Sequence, residues 1–250
     1  MSTQYESVQS ALLYSDVFHV AAPTDAVGRN VWPRQPGIFI RAALAAEASY
    51  PSENPAEAEA AEAAMAAPEA VGTDDQPRKL LALEVAHGQF GLVPRWVKSA
   101  SDAKLRSTKL VNARSEIVTT SNNFRDAWLA GQRCIVPMMA FMEDDWRSGK
   151  AVPTRIARVD GKPMGAAGLW ESWTGADGQT IISYCLLTVN ANSHALISRY
   201  QQPGNEKRML AILNEGAYDA WLSARADKAK EFMRAYPANW LTANPVEKNR

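Results

Sequence analysis

The stretch RCIVPMMAFM, residues Arg133–Met142, decides the fold class of this chain of 250 residues. It is an apolar run of strand length, and two similar runs follow at Pro163–Trp173 and Thr180–Asn190. Such runs are typical of strands that are largely buried. Because helical patterns elsewhere in the chain do not alternate regularly with strands, a βαβ architecture is disfavoured. The sequence therefore predicts an α+β fold with a curled, largely antiparallel mixed sheet, a pseudo-barrel, and flanking helices.

The remaining elements are predicted outward from this stretch. Turn and cap residues such as Asn122 and Gly131 bound one short helix, and apolar residues at helical spacing mark the others. The predicted strands are Ile38–Ala42 and Leu80–Val93, and the predicted helices are Glu6–Phe18, Asn122–Ala130, Gly216–Arg225 and Asp227–Tyr236.

Composition excludes several classes of protein. Hydrophobic residues make up 46% and charged residues 22% of the chain, which is ordinary for a globular protein and excludes collagen, coiled coil and global disorder. No apolar run reaches the ~18 residues of a membrane span, and no signal-peptide pattern is visible at the start. Cys134 and Cys185 both lie in apolar runs, which favours buried, inert thiols. We therefore predict a cytoplasmic protein without membrane association.

Charge is unevenly distributed along the chain. The 27 basic and 27 acidic residues cancel, but Ala42–Pro77 holds eight acidic residues and no Lys or Arg. This Ala/Glu-rich stretch has too few large apolar side chains to build a core, and we interpret it as an acidic insertion or loop. The rest of the chain carries a formal excess of eight positive charges, which permits a polyanionic partner without requiring one.

Generic catalytic motifs are absent from the sequence. There is no phosphate-binding glycine loop, no CxxC and no HExxH. His19, His87 and His194 show no spacing typical of metal ligands. The sequence therefore predicts neither a metal nor a cofactor, and it leaves the oligomeric state open.

Five ordered segments carry a more specific signal. The segments are FGLVPRW (Phe90–Trp96), NARSE (Asn112–Glu116), RCIVPMMAFMEDDW (Arg133–Trp146), AGLWESW (Ala167–Trp173) and LTVNANSHALISRYQQPGNEKRMLAIL (Leu187–Leu213). They resemble the SRAP family, the SOS-response-associated peptidases that are also called abasic-site processing proteins. The first two segments resemble the family motifs WGLIPxW and NARxE, and the third resembles RCLIPxxGFYEW.

The resemblance implies a single SRAP-like domain over residues 1–250, and a DNA-damage function on single-stranded or abasic-site DNA. In the family, an N-terminal cysteine forms a covalent thiazolidine with the abasic aldehyde. By resemblance Asn112 contacts the sugar or phosphate, Arg114 clamps phosphate, and Glu143 moves protons during the condensation. Trp96 and Pro36 are expected to wedge or stack against bases.

The residues alone also allow plainer interpretations of the same positions. Arg114 could form a structural ion pair, and Glu143 could belong to a solvated acidic turn. Trp96 could be a core residue, and Pro36 could be an ordinary loop proline.

The chain departs from the family pattern at catalytic positions. Ser2 replaces the cysteine, Glu206 replaces a histidine, and Met142 replaces a tyrosine. A thiazolidine needs sulfur, so with Ser2 only the α-amine, once Met1 is removed, remains to form a reversible imine. Glu206 becomes the candidate base in place of imidazole, although a carboxylate accepts protons more weakly at pH 7. We therefore expect weakened or altered covalent chemistry, including weak strand cleavage by β-elimination.

Two alternatives stay open at this point. One is an active peptidase or crosslinker that uses Ser2 as an N-terminal nucleophile, assisted by Glu143. The other is a catalytically degenerate module that binds other proteins, with the acidic insertion covering the cleft.

Overall fold

The computed structural model of the protein describes residues 2–43 and 81–246. Twelve strands in these ranges join one sheet, together with four α-helices and single 3₁₀ turns. The strands are β1 (Tyr5–Ser7), β2 (Asn30–Val31), β3 (Pro36–Ala42), β4 (Leu83–Phe90), β5 (Asn112–Arg114), β6 (Arg133–Asp145), β7 (Val152–Arg158), β8 (Met164–Thr174), β9 (Thr180–Asn190), β10 (Arg208–Leu210), β11 (Ile212–Leu213) and β12 (Leu241–Pro245). The α-helices are α1 (Ala11–Phe18), α2 (Ala100–Ser107), α3 (Arg125–Leu129) and α4 (Tyr218–Ser223).

Five strands close into a barrel. The order β8–β9–β4–β3–β6 returns to its start because β6 also pairs with β8. The β4–β9 pair is parallel, and the other four pairs of this ring are antiparallel. The long strands β6, β8 and β9 give the sheet enough length to twist and curl on itself. The predicted α+β class with a curled, largely antiparallel mixed sheet is confirmed.

Close packing between strands depends on a glycine at the middle of β8. A Cβ on Gly168 would lie 2.6 Å from the Cys185 carbonyl oxygen and 2.9 Å from the Cys134 sulfur. Both cysteines are fully buried, as predicted, and burial raises their thiol pKa values. They therefore fill the space between strands and take no part in a reactive site.

An aromatic cluster fills the core beside the barrel wall. Tyr5 packs edge-on against Phe90, and Tyr184 stacks on Phe90 with ring centroids 5.5 Å apart. The hydroxyls of Tyr5 and Tyr184 share a hydrogen bond, which satisfies two polar groups that are removed from water. Because this interior is packed, a ligand site is expected at the surface of the sheet.

All four predicted helices are shorter in the structure. Asn122–Ala130 becomes α3 with Phe124, not Asn122, at its N-cap, and Gly216–Arg225 becomes α4. The other two differ more, for local reasons. The predicted helix Glu6–Phe18 begins only at Ala11, because Tyr5–Ser7 pairs with both β2 and β6. In Asp227–Tyr236 only Ala229–Phe232 forms a 3₁₀ turn. The sequence reasoning missed α2, in which only Ala103 and Ser107 are buried, so the helix has little apolar periodicity.

The predicted insertion lies almost entirely outside the described residues. Ala42 ends β3, and the Ala43 N–H donates to the Ala82 carbonyl 2.8 Å away, so the β3–β4 hairpin continues to the edge of the described ranges. None of the helices in residues 2–43 and 81–246 has the length and apolarity needed to cross a bilayer.

Candidate active site

A cleft of about 580 Å³ lies at the C-terminal end of β6, where this strand extends beyond the barrel and pairs with β7. Its walls come from the segment before β1, the loop after β2, the ends of β5 and β6, the start of β7 and the loop before β10. The lining residues are Thr3, Gln4, Trp32, Arg114, Met142, Glu143, Asp144, Trp146, Pro153, Gln201, Gln202, Asn205, Glu206 and Arg208.

Strand pairing brings Ser2 to Glu143. Tyr5 pairs with Phe141, and the Met142 N–H donates to the Gln4 carbonyl 3.1 Å away, so the residues before β1 run alongside the end of β6. The Ser2 N–H then donates to the Glu143 carboxylate. Two residues that are 141 positions apart therefore meet because of the sheet register.

Ser2 is held on three sides and is only 3% exposed. Its carbonyl accepts a hydrogen bond from Asn112 Nδ2 at 2.6 Å, and its hydroxyl donates to the Gln4 carbonyl at 2.8 Å. Asn112 Oδ1 is buried and meets no donor in the described part of the chain. The geometry therefore fixes the backbone of Ser2, and it leaves one amide oxygen as an acceptor beside it.

Glu143 is a buried carboxyl group poised near neutrality. Burial raises its pKa to about 7, although the positive charge of the chain's amino terminus, and then hydrogen bonds from the Ser2 N–H and the Gln201 side chain, lower it in part. Only 5% of the residue is exposed, so Glu143 does not belong to a solvated turn. A carboxyl group whose protonated and ionised forms are both populated near pH 7 can donate a proton and accept one in the same reaction cycle.

The side-chain amide of Gln201 is held in a fixed orientation next to Glu143 by the backbone of Arg208. Its Oε1 accepts from the Arg208 N–H at 3.2 Å, and its Nε2 donates to the Arg208 carbonyl. The residue has a φ of 66°, in the left-handed region that favours glycine. Its backbone N–H donates to the Asp144 carbonyl at 2.7 Å. Because both amide positions are set by Arg208, the NH₂ group is the part that faces Glu143.

One part of the cleft lining, which we call the ionic wall, is formed by Arg114, Glu206 and Arg208. Glu206 Oε2 lies 2.9 Å from Arg114 Nη1, and Glu206 Oε1 lies 2.7 Å from Arg208 Nη1. Hydrogen bonds from Arg208 and Asn190 lower the pKa of Glu206, so its carboxylate is ionised at neutral pH. The structural ion pair allowed for Arg114 is therefore present. An ionised, ion-paired carboxylate is a poor general base, which weighs against the role predicted for Glu206.

Two tryptophans in the cleft were missed by the sequence reasoning. Trp32 is 47% exposed and lines the wall beside the segment before β1, and Trp146 lines the wall just after β6. The available signal was an aromatic residue next to a proline in the turn-rich stretch NVWPRQP. Indoles that line a polar cleft are suited to stacking against flat ligands.

Trp96 and Pro36 lie away from this cleft lining. Trp96 is 39% exposed in a separate depression, where its Nε1 donates to the Asn122 carbonyl and its ring packs under Arg106. It is therefore not a core residue. Pro36 is exposed at the start of β3, four residues after Trp32. The stacking role predicted for both residues stays a prediction.

No group of three or more His, Cys, Asp or Glu side chains in residues 2–43 and 81–246 could hold a metal ion. His194 is buried and structural, since its Nδ1 accepts from the Ile197 N–H and its Nε2 lies 2.7 Å from the Tyr236 carbonyl oxygen.

Ala42, the described start of the acidic segment, ends the strand that pairs with the beginning of β6. Ile40 of β3 pairs with Ile135, whereas Glu143 lies eight residues further along β6. At ~3.3 Å per residue, this separation is roughly 26 Å along the strand. The predicted covering of the cleft falls on residues 44–80, which lie outside the described ranges.

The chain belongs to the SOS response associated peptidase (SRAP) family, whose model matches residues 5–249. Ser2 precedes the matched region.

Individual relatives carry related names. The chain is 33% identical over 164 residues to the abasic site processing protein YoaM of Bacillus subtilis, with 63% of this chain and 66% of YoaM covered. It is 27% identical over 162 residues to the abasic site processing protein YoqW of the same organism, with 63% and 67% covered. A crystal structure of a Bordetella bronchiseptica protein is 35% identical, covers 99% of this chain and 100% of its own, and has a TM-score of 0.78.

Proposed function

We propose that this protein binds single-stranded or abasic DNA in the cleft and forms an imine with the abasic-site aldehyde through the α-amine of Ser2. The names of YoaM and YoqW, both abasic site processing proteins, support the class of substrate. One observation carries the chemistry: the backbone N–H of Ser2, whose nitrogen becomes the α-amine once Met1 is removed, donates a hydrogen bond to Glu143, a buried carboxyl group with a pKa of about 7.

The condensation proceeds in two steps once Met1 is removed. The amine lone pair attacks the aldehyde carbon, a C–N bond forms as the C=O π bond breaks, and a proton is transferred from the nitrogen to the oxygen to give a carbinolamine. The C–O bond then breaks, water leaves, and the nitrogen loses a proton as the neutral imine forms. Protonated Glu143 supplies the proton for the departing hydroxyl, and its carboxylate removes one from nitrogen. With an α-amine pKa of ~7.7–8.0, roughly a tenth of the amine is neutral at pH 7.

The imine is the last covalent product on the protein, and it is either hydrolysed or followed by cleavage of the DNA strand. Ser2 has no sulfur to close a thiazolidine, and its hydroxyl donates to the Gln4 carbonyl. Water therefore reverses the linkage. In the competing β-elimination, the protonated imine accepts electrons as the sugar C2′ loses a proton and the bond to the 3′ phosphate breaks. The protein then acts as a weak lyase.

We expect residues in and beside the cleft lining to contact the strand. Arg114 is half exposed, which supports a charge-assisted contact with a phosphate. Asn112 is not a lining residue, but its buried Oδ1 meets no donor among the described residues, which supports a hydrogen bond from a hydroxyl of the open sugar. Trp32 and Trp146 offer indole faces for bases next to the lesion.

The alternative with Ser2 as an oxygen nucleophile has less support. Its Oγ is occupied by the Gln4 carbonyl, and the nearby carboxyl of Glu143 contacts the Ser2 nitrogen. The alternative of a protein-binding module depends on residues outside the described ranges, and it stays a prediction.

The test is an electrophoretic assay with abasic and intact oligonucleotides, with and without borohydride, after mass spectrometry of the N-terminus. Wild type should give a borohydride-trapped complex with abasic DNA only, and a labile one without reductant. Ser2→Cys should give a heat-stable adduct without reductant, and Glu143→Ala should slow trapping. DNA binding without any trapped complex would leave a pure binder, and absence of both would overturn the proposal.

A further inference from the structure

The ionic wall of the cleft contains a carboxylate that the proposed chemistry does not use. Glu206 Oε2 lies 2.9 Å from Arg114 Nη1, on the guanidinium that is placed to meet phosphate. The Arg114 side chain is 50% exposed and that of Glu206 is 31% exposed. The ion pair is therefore open to the solvent of the cleft, where a ligand can reach it.

Glu206 is held in place by Arg208, whose N–H donors are all used in hydrogen bonds to the protein. Arg208 is 3% exposed and has five N–H donors, as every arginine does. One donates to Thr188 Oγ1, one to the Thr188 carbonyl, two to the carboxylate of Glu116 and one to Glu206. Asn190 Nδ2 also donates to Glu206 at 2.9 Å. Arg208 thus has no donor left for a ligand, and it fixes Glu206 in front of Arg114.

This arrangement cancels the charge that a nucleic acid strand would seek. A carboxylate presents two oxygens to a guanidinium much as a phosphate does, and either group accepts the same N–H donors. Arg114 and Arg208 together carry two positive charges, and Glu116 and Glu206 carry two negative ones. The cluster therefore has no net charge although its outermost member is a cation.

We propose that Glu206 is an internal stand-in for phosphate and a specificity-determining residue, so that a phosphodiester binds only by displacing it from Arg114. This inference rests on the proposed function. Intact strands, which offer only phosphates and bases, gain little from Arg114 in exchange for the lost ion pair. An abasic strand gains the imine in addition. Glu206 thus lowers the affinity for undamaged DNA, so that imine formation with the aldehyde distinguishes abasic strands from intact ones.

The test is fluorescence anisotropy with an intact single-stranded oligonucleotide between about 50 and 300 mM salt. Glu206→Gln should lower Kd by about threefold to tenfold at the lowest salt, and should steepen the dependence of log K on log salt by about 0.7, the value for one extra phosphate contact on a single strand. Adding Arg114→Ala to Glu206→Gln should remove the gain.

Glu116→Gln is the matched control. It removes the same charge from the same cluster, but Glu116 pairs with Arg208 and has no contact with Arg114 among the described ion pairs. It should leave Kd within about twofold of wild type. An equal gain in both variants would overturn the inference, because net charge alone would explain it.

Failure of the inference can be separated from failure of the proposed function. If Glu206→Gln leaves Kd unchanged while wild type still traps abasic DNA with borohydride, the inference is wrong and the proposed function stands. If wild type and Glu206→Gln neither bind nor trap DNA, both are wrong. Thermal melts of each variant establish that it is folded.

Discussion

Two glutamates line the cleft, and their surroundings give the two carboxyl groups opposite properties. Glu143 is buried against the Ser2 backbone, and burial raises its pKa to about 7. Glu206 is partly exposed between Arg114 and Arg208, and hydrogen bonds from Arg208 and Asn190 lower its pKa. The first can therefore exchange protons near pH 7, whereas the second stays an anion. Paired carboxyl groups whose pKa values are pushed apart by their environments commonly divide roles in this way.

The largest expected effect is on the rate of trapping when Glu143 can no longer exchange a proton. Glu143→Gln keeps the shape of the side chain but removes its exchangeable proton, so borohydride trapping of abasic DNA should slow by about 10²–10⁴-fold. The rate of complex formation at saturating protein measures the change. Glu171→Gln, another buried glutamate but one paired with Arg95 outside the cleft lining, should retain trapping. Equal loss in both variants would point to folding instead of chemistry.

Binding of single-stranded DNA should also depend on the two tryptophans that line the cleft. Trp32→Ala and Trp146→Ala should each weaken binding of single-stranded DNA by up to about 1–3 kcal/mol, the usual range for one stacked base. Trp96→Ala, outside the cleft lining, is the matched comparison and should cost less. Anisotropy titrations of the three variants at one salt concentration measure the difference. A larger loss for Trp96→Ala would favour the role predicted from the sequence.

Stability should depend on pH with opposite signs at the two glutamates. Since the pKa of Glu143 is higher in the folded state than in the unfolded chain, its contribution is lost as pH rises from about 4.5 toward 7. Glu143→Gln should therefore be more stable than wild type at pH 8 by a free energy of unfolding of the order of 2 kcal/mol. Denaturant titrations at pH 5 and pH 8 measure it.

Glu206 provides the control for that measurement. Its lowered pKa adds stability that is present above the unfolded-state pKa and is lost only as pH falls below it. Glu206→Gln should therefore show the same stability difference from wild type at pH 5 and pH 8. A pH-dependent difference in this window would contradict the assignment of the two environments.

The smallest expected effect concerns the residue that adjusts Glu143. Gln201→Gly suits the left-handed backbone at this position, so the fold should be retained. Loss of the amide removes a hydrogen bond that stabilises the charged carboxylate, and should move the Glu143-dependent limb of the trapping rate by about one pH unit toward higher pH. A pH–rate profile of trapping measures the shift. A uniform loss of rate without a shift would show that Gln201 is only structural.

Much of the fold could be predicted because its signals are local. The apolar runs at Arg133–Met142, Pro163–Trp173 and Thr180–Asn190 overlap almost completely with the long strands of the barrel, which begin at Arg133, Met164 and Thr180. Motif resemblance also pointed to Asn112, Arg114 and Glu143, which the structure brings to one region with Ser2 and Glu206. The beginning of α1 was misplaced because Tyr5–Ser7 becomes a strand only by pairing with distant partners.

The sequence by itself determined the three long strands, the family resemblance and the replacement of cysteine by Ser2, because each is written in adjacent residues. Only the tertiary structure decided which carboxyl group holds a proton and which one is ionised. Glu143 and Glu206 have the same side chain, and the pKa of each depends on burial and on partners that are remote in the chain. Desolvation and ion pairing act through space, so neither could be inferred before the strands were paired.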